Sequence, residues 1–274
     1  MALHRALASI VDLVFPPRCP LCGDAIGAQT GLCPDCWSDL IIPGEPACIT
    51  CGRPFADGMP EGAVCAPCLG TPPRHDGIAA ATIYNETSRK LVLALKHGNR
   101  IALAPMMAGL MAPKLPGVGA DWLIVPVPLH RWRLWKRGYN QASELGRHLA
   151  GKTGATLAVD ALVRRKRTPS LGGLGKKARK RALSGAITVN SKRASLLKGA
   201  NLILVDDVLT SGATSDACVS ALKRAGAETV VIACFARVLD EVPARPKRKT
   251  PGTESPGRPR DETLGPCDAV RRHP

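Results

Sequence analysis

Residues Asn201 to Asp216 read NLILVDDVLTSGATSD, four apolar side chains, two adjacent carboxylates and a short Thr/Ser/Gly loop. The run Leu202-Ile203-Leu204-Val205 shows no polar alternation, the pattern of a parallel strand buried on both faces. Such a strand belongs to an open α/β sheet covered by helices, whose ligands bind at the carboxyl edge. The pattern predicts that the strand ends at Asp206, presenting Asp206 and Asp207 together at that edge. A helix is expected from near Ser215, capped by Thr214 and closed by Gly226. Between them, Thr210-Ser211-Gly212-Ala213-Thr214 offers hydroxyls and backbone N–H groups at the positive end of the helix. That is an anion cradle beside a carboxylate pair. It suits a ligand with a phosphate and a diol, the diol or a magnesium ion resting on the carboxylates.

Other segments extend the same architecture. Strands are expected over GIAAATIY from Gly77, over Trp122 to Val127 and over Thr229 to Phe235. Helices are expected over Ser88 to Lys96, with Leu91, Val92 and Leu95 on one face, and over Ile101 to Met111. After Val127 the chain leaves through prolines, passes His130, Arg131, Arg133, Lys136 and Arg137 in a loop, and enters a helix near Asn140. Because prolines donate no N–H, an anion at this exit would be held by side chains such as His130 and Arg131. Arg164 to Ile187 carries nine Lys/Arg and no acid around Gly172, Gly173 and Gly175. It reads as a mobile cationic segment.

Eight of the eleven cysteines form four C-x2-C pairs: Cys19/Cys22, Cys33/Cys36, Cys48/Cys51 and Cys65/Cys68. In a reducing compartment such pairs bind metal rather than form disulfides, and four thiolates at tetrahedral geometry suit zinc. Cys19-Pro-Leu-Cys22-Gly23 and Cys48-Ile-Thr-Cys51-Gly52 repeat each other, and each precedes a further pair. Two tandem ribbons follow, the first four cysteines in one and the last four in the other; a cross-brace joining first to third and second to fourth pair fits the spacing as well. Sites closed by four cysteines are structural, so no catalysis is assigned to the metals. Cys218 and Cys234 read as small core residues.

Charge separates the modules. Residues 1–76 hold four Lys/Arg against eight Asp/Glu, whereas residues 77–239 hold 26 against eight. The α/β part would therefore attract polyanions, and the acidic ribbons suit a scaffold or protein-contact role better than nucleic-acid reading. Aromatic residues make up 3% of the chain, which leaves no aromatic-rich platform for stacking bases, although Trp122, Trp132 and Trp135 cluster. MALHRALASIVDLVF reads as a packing helix, its apolar run broken by Asp12. With no span of ~18 apolar residues the chain is expected to be cytoplasmic. Residues 240–274, rich in Pro, Gly and charge, are expected to be disordered. Three parts result: 1–76, 77–239 and 240–274.

LILVDDVLTSGAT resembles the phosphoribosyl pyrophosphate (PRPP) loop of type I phosphoribosyltransferases. Arg137-Gly138-Tyr139-Asn140-Gln141 is similar to the R-G-[FY]-N-Q segment of the ComF family, competence-associated phosphoribosyltransferase-like proteins with N-terminal zinc-binding cysteines, which include the GntX-type proteins. The resemblance covers residues 15–239. It implies a type I phosphoribosyltransferase fold, a parallel sheet flanked by helices, carrying an N-terminal double zinc ribbon. It further implies catalytic Asp206 and Asp207, a 5-phosphate held by Thr210 to Thr214, pyrophosphate near His130 and Arg131, and a lid in the Arg164–Ile187 segment. The cofactors would be two structural zinc ions and magnesium with PRPP. The family's usual T-P-x-Q stretch and later Arg-Asn pair are replaced, with Leu171 and Ala182 in their place. The carboxylate base of purine-salvage members is replaced by Thr210, which argues against purine acceptors. Three functions fit: transfer of a phosphoribosyl group to an unidentified acceptor, non-catalytic handling of single-stranded DNA with the competence machinery, or PRPP sensing.

Overall fold

The protein is described by a computed structural model covering residues 15–97, 100–115, 117–166 and 185–239. The expected N-terminal helix, most of the Arg164–Ile187 segment and the tail lie outside these residues. Two short helices, α1 (Pro34–Ser38) and α2 (Ala66–Gly70), fall among the cysteines. They are followed by β1 (Gly77–Ile83), α3 (Glu86–His97), α4 (Ala104–Met111), β2 (Trp122–Pro126), α5 (Arg131–Arg137), α6 (Gln141–Thr153), β3 (Thr156–Leu157) and β4 (Leu162–Arg164). The chain resumes with β5 (Ile187–Val189), α7 (Ala194–Leu197), β6 (Asn201–Leu209), α8 (Ala213–Arg224) and β7 (Thr229–Arg237).

The main sheet has the order β1-β7-β6-β2-β3, and each neighbouring pair is parallel. Leu202 to Val205 are fully buried because β6 is central and covered on both faces. One face packs Leu91 and Leu95 of α3, Met107 and Met111 of α4, and Leu145 and Leu149 of α6 against Ile203, Val205 and Phe235. The other packs Leu197 of α7 and Cys218, Val219 and Leu222 of α8 against Leu202, Leu204, Ile232 and Cys234. The expected core roles of Cys218 and Cys234 are met. Strands β4 and β5 form a separate antiparallel pair, with Arg164 opposite Ile187, so the two ends of the basic segment leave side by side.

Three local expectations are corrected. Strand β6 does not end at Asp206: Asp206, Val208 and Leu209 pair with Cys234, Ala236 and Arg237, because the apolar Val208 and Leu209 prolong the ladder beyond the carboxylates. Helix α8 begins at Ala213, with Gly212 at φ +74° in the N-cap position, so Thr214 lies inside the first turn and is no cap. The segment 131–137 is a helix rather than a loop; the His130 side chain caps it and Gly138, at φ +80°, ends it.

Both cysteine modules dock on the sheet. Leu40 enters the core beside α3 and α4, Ile41 bridges to Ile83, and Asn85 Nδ2 donates to Asp39 O at 2.6 Å. In the second module, Phe55, Val64 and Ile78 pack around Cys48, Cys51 and Cys65. Gly52 lies so close to β1 that a Cβ there would stand 2.8 Å from Ile78 O, which only glycine avoids. Among the described residues no helix is long and apolar enough to cross a membrane.

Candidate functional site

Because successive residues of a strand face opposite sides, Asp206 and Asp207 meet different neighbours. Asp207 is 6% exposed and looks toward α3, where Lys96 Nζ stands 3.0 Å from its Oδ2. That ion pair lacks hydrogen-bond geometry, so the buried oxygen keeps accepting capacity. Asp206 lies on the opposite face, in the field of Arg164 and Cys218, and its Oδ1 accepts the Asp207 N–H at 2.9 Å. Burial, and then the charge of Asp207, push the Asp206 carboxyl up to about 8, against the pull of Lys96. The two carboxylates thus lie on opposite faces of β6 rather than standing as one pair. Lys96 was not anticipated as a site residue, and Arg164 was expected only as the first cation of the lid segment: one sits in the last turn of a helix and the other at a strand end, and tertiary packing brings them to the aspartates.

From Leu209 the chain passes through Thr210 and Ser211, both exposed, into Gly212 and α8. No side chain caps α8, so its first-turn N–H groups meet the Thr210–Gly212 loop directly. Glycine is required at 212 because its φ lies in the left-handed region. The arrangement supplies backbone donors, hydroxyls and a helix dipole to an anion.

The exit of β2 lies beside the exit of β6, since Val127 N–H donates to Val205 O at 2.9 Å. His130 Nδ1 accepts the Trp132 N–H at 3.2 Å and is spent on capping α5, which leaves Nε2 for other partners. Arg131 is exposed at the start of the same helix. The R-G-Y-N-Q segment builds the corner that follows. Gly138 ends α5, Tyr139 Oη donates to Leu95 O, and Asn140 Oδ1 caps α6 by accepting the Ala142 N–H while its Nδ2 donates to Val127 O at 3.0 Å. Arg137 Nη1 donates to Gln141 Oε1 at 2.9 Å. These residues set the direction in which the cationic exit leaves the sheet. Trp132 and Trp135 are 44% and 84% exposed on α5, with Lys136 Nζ 5.6 Å from the Trp132 ring centroid. The low aromatic content thus conceals a small exposed pair.

The cysteines gather as Cys19, Cys22, Cys33 and Cys36, and as Cys48, Cys51, Cys65 and Cys68, each set with its sulfurs within 4.8 Å of one another. This is the tandem arrangement and not the cross-brace. The separations Cys22 Sγ to Cys33 Sγ, 3.4 Å, and Cys51 Sγ to Cys65 Sγ, 3.6 Å, approach the ~3.8 Å edge of a tetrahedron with ~2.3 Å zinc–sulfur bonds. Burial acts to raise the Cys19 thiol, but backbone hydrogen bonds at Cys33, Cys22 and Leu21 outweigh it and hold the group at about 6. Cys48 is likewise raised by burial and brought down to about 6 by those at Cys65, Cys51 and Thr50. Each set therefore begins with a thiol prepared to ionise and is consistent with one structural zinc ion.

Residues 10–69 match a double zinc ribbon domain and residues 136–254 a phosphoribosyl transferase domain. The DNA utilization protein YhgH of Salmonella typhimurium is 30% identical over 227 residues, covering 81% of this chain and 90% of that protein. Competence protein F of Haemophilus influenzae is 28% identical over 230 residues, covering 81% and 98%. Among solved structures, an allosteric regulatory enzyme of purine biosynthesis is matched at 19% identity over 52% of this chain and 30% of that one, with a TM-score of 0.34.

Proposed function

Because the chain belongs to the ComF/YhgH family, with an N-terminal double zinc ribbon and a phosphoribosyltransferase domain, we propose that its sheet edge binds Mg–PRPP and transfers the phosphoribosyl group to an acceptor nucleophile. The observation that carries this reading is the continuity of Asp206 and Asp207 with an uncapped loop and helix at the carboxyl edge of a parallel sheet. Thr210, Ser211, Gly212, Ala213 and Thr214 hold the 5-phosphate through backbone donors and hydroxyls. Asp206 and Asp207 hold the ribose hydroxyls and the metal, a hard cation suited to carboxylate oxygen, and at Asp207 Oδ2 the metal or a hydroxyl takes the place of the Lys96 ammonium. Magnesium, when bound, would spread the charge of the pyrophosphate.

In the reaction the acceptor's lone pair forms a bond to the anomeric carbon while the bond from that carbon to the pyrophosphate oxygen breaks, and pyrophosphate departs with the electron pair. The carboxylates stabilise positive charge developing on the ribose, and His130 Nε2 and Arg131 stabilise the leaving group. We assign this chemistry to residues 77–239 and a scaffolding role to residues 1–76. A reducing cytoplasmic setting keeps the eight thiols available as ligands.

A second reading is single-stranded DNA handling, favoured by Trp132 and Trp135 exposed among Arg131, Arg133 and Lys136. The relatives' names, a DNA utilization protein and a competence protein, point the same way. The first reading is tested by calorimetry of Asp206→Ala/Asp207→Ala with Mg–PRPP. Each lost contact should weaken binding by about 1.5–3 kcal/mol, so the double variant should show no measurable affinity while staying folded. Unchanged affinity would sink the assignment.

A further inference from the structure

A cleft of about 240 Å³ opens between the second cysteine module and the Thr210–Gly212 loop. One wall is Thr210, Ser211 and Gly212; the opposite wall brings Arg53 from the module, His75 from the segment leading to β1, and Arg237 from the end of β7. Two of these side chains have buried nitrogen atoms without hydrogen-bond partners, Arg53 Nε and His75 Nδ1. Such atoms are costly inside a protein unless a ligand or water meets them.

The cleft is built rather than incidental. Arg237 is 8% exposed and donates through Nη1 to Cys51 O, tying the second module to the strand beside β6. The segment carrying His75 is pinned on both sides: Asp76 N–H donates to Val230 O, the Asp76 carboxylate accepts the Val230 N–H at 2.7 Å, and Arg74 Nη1 donates to Ser220 Oγ at 3.3 Å. Asp216 is the one carboxylate among the described lining residues, and Cys51, Cys65 and Cys68, thiols of the second zinc set, line the cleft beside Arg53 and Arg237. Asp216 sits in the first turn of α8, and its Oδ1 would be 3.8 Å from a Cβ on Gly212. Burial, and then the charge of Arg237, lower the His75 imidazole, which favours its neutral form, with one ring N–H to give and one nitrogen to accept.

We propose that this cleft binds a phosphomonoester group, received by Arg53, His75 and Arg237 on one wall and by the Thr210–Gly212 loop on the other. The phosphate could be the 5-phosphate of PRPP, a case that rests on the reading above, or that of a second sugar phosphate or nucleotide. In either case the second zinc module forms part of the ligand site.

The test is titration of the zinc-loaded full chain with ribose 5-phosphate, with metal content measured on the same samples. Wild type should bind it, and Arg53→Ala/His75→Ala should bind roughly tenfold more weakly or worse, the loss expected for charged and buried donors, while two zinc ions are retained. If Arg53→Ala releases zinc, His75→Phe alone, which keeps the ring volume, replaces the double variant and should also weaken binding. Competition by Mg–PRPP, with PRPP affinity falling in parallel in the variants, identifies the group as the PRPP 5-phosphate. Simultaneous binding, with PRPP affinity unchanged, identifies a second ligand and overturns the assignment of the Thr210–Gly212 loop to the PRPP 5-phosphate. Equal affinity in wild type and variants, or no binding by wild type, overturns the proposal. Ribose 5-phosphate binding without PRPP binding would leave this site standing and reject the transferase reading.

Discussion

Asp206 keeps its proton well above the range where a carboxylic acid normally loses it, because burial and the neighbouring Asp207 raise it from 3.8 to about 8. The consequence for stability has a definite sign. Below pH ~4 the group is neutral in both folded and unfolded chains and contributes nothing unfavourable. Between ~4 and about 8 the unfolded chain ionises while the folded one retains the proton, so stability falls as pH rises and levels off above the folded value. Asp206→Asn removes this dependence. Denaturant unfolding of magnesium-free protein should show wild type losing stability relative to Asp206→Asn between pH 5 and pH 8. A difference between the two that is constant with pH would show that Asp206 is not held protonated. The raised value also makes Asp206 a place where a bound cation has large leverage, since metal binding favours the ionised form. Lys96 has the complementary position: it already neutralises Asp207, so a metal arriving there must compete with an ammonium at 3.0 Å.

Elements whose signal is local apolar periodicity are legible in the chain: β1, β2, β7, α3 and the apolar part of β6 follow from residues such as Leu91, Val92, Leu95 and Leu202 to Val205. Helix α5 is not, because RWRLWKR has no apolar stripe of useful length and depends on the His130 cap and the left-handed Gly138. The strand extension to Leu209 is hidden because two aspartates read as an exit, and only pairing with β7 reveals the ladder. Of the site, Asp206, Asp207, the loop and the cationic segment that Arg164 opens are visible in the primary structure, while Lys96, Arg53 and His75 carry no local signal and reach the site through packing. The internal repeat of the cysteines suggests tandem pairing but leaves the cross-brace open until the sulfurs are placed, and the docking of each module carries no such signal. That docking separates the modules physically: Leu40 and Ile41 hold the first near β1 and α3, and Gly52 and Ile78 hold the second. Since structural zinc supplies folding free energy to the element that holds it, Cys19→Ser should lower metal content from two zinc ions to one and loosen only the first module. Metal analysis together with hydrogen exchange checks this. One zinc in wild type, or none in the variant, would reject two independent sites.

At the scale of the whole molecule, an acidic pair of ribbons is joined to a basic α/β layer, with 26 Lys/Arg against eight Asp/Glu in residues 77–239. Such a field draws any polyanion, so binding of single-stranded DNA by itself separates none of the functional readings. The separation comes from where the DNA runs. A strand held by scattered lysines and arginines releases counterions and weakens steeply with salt, with a slope of about −0.7 per phosphate contact, and it is indifferent to PRPP. A strand that follows the exit of β2 past Arg131, with bases against Trp132 and Trp135, ends beside Asp206 and should compete with Mg–PRPP. Stacking on those exposed rings would add a component that salt does not remove, ~1–3 kcal/mol per base. The expected outcome is weak, salt-sensitive binding that Mg–PRPP partly displaces in wild type and fails to displace in Asp206→Ala/Asp207→Ala, read by fluorescence anisotropy across a salt series. Tight binding that survives high salt and ignores PRPP would make DNA handling the main function and leave the transferase site without a role in it.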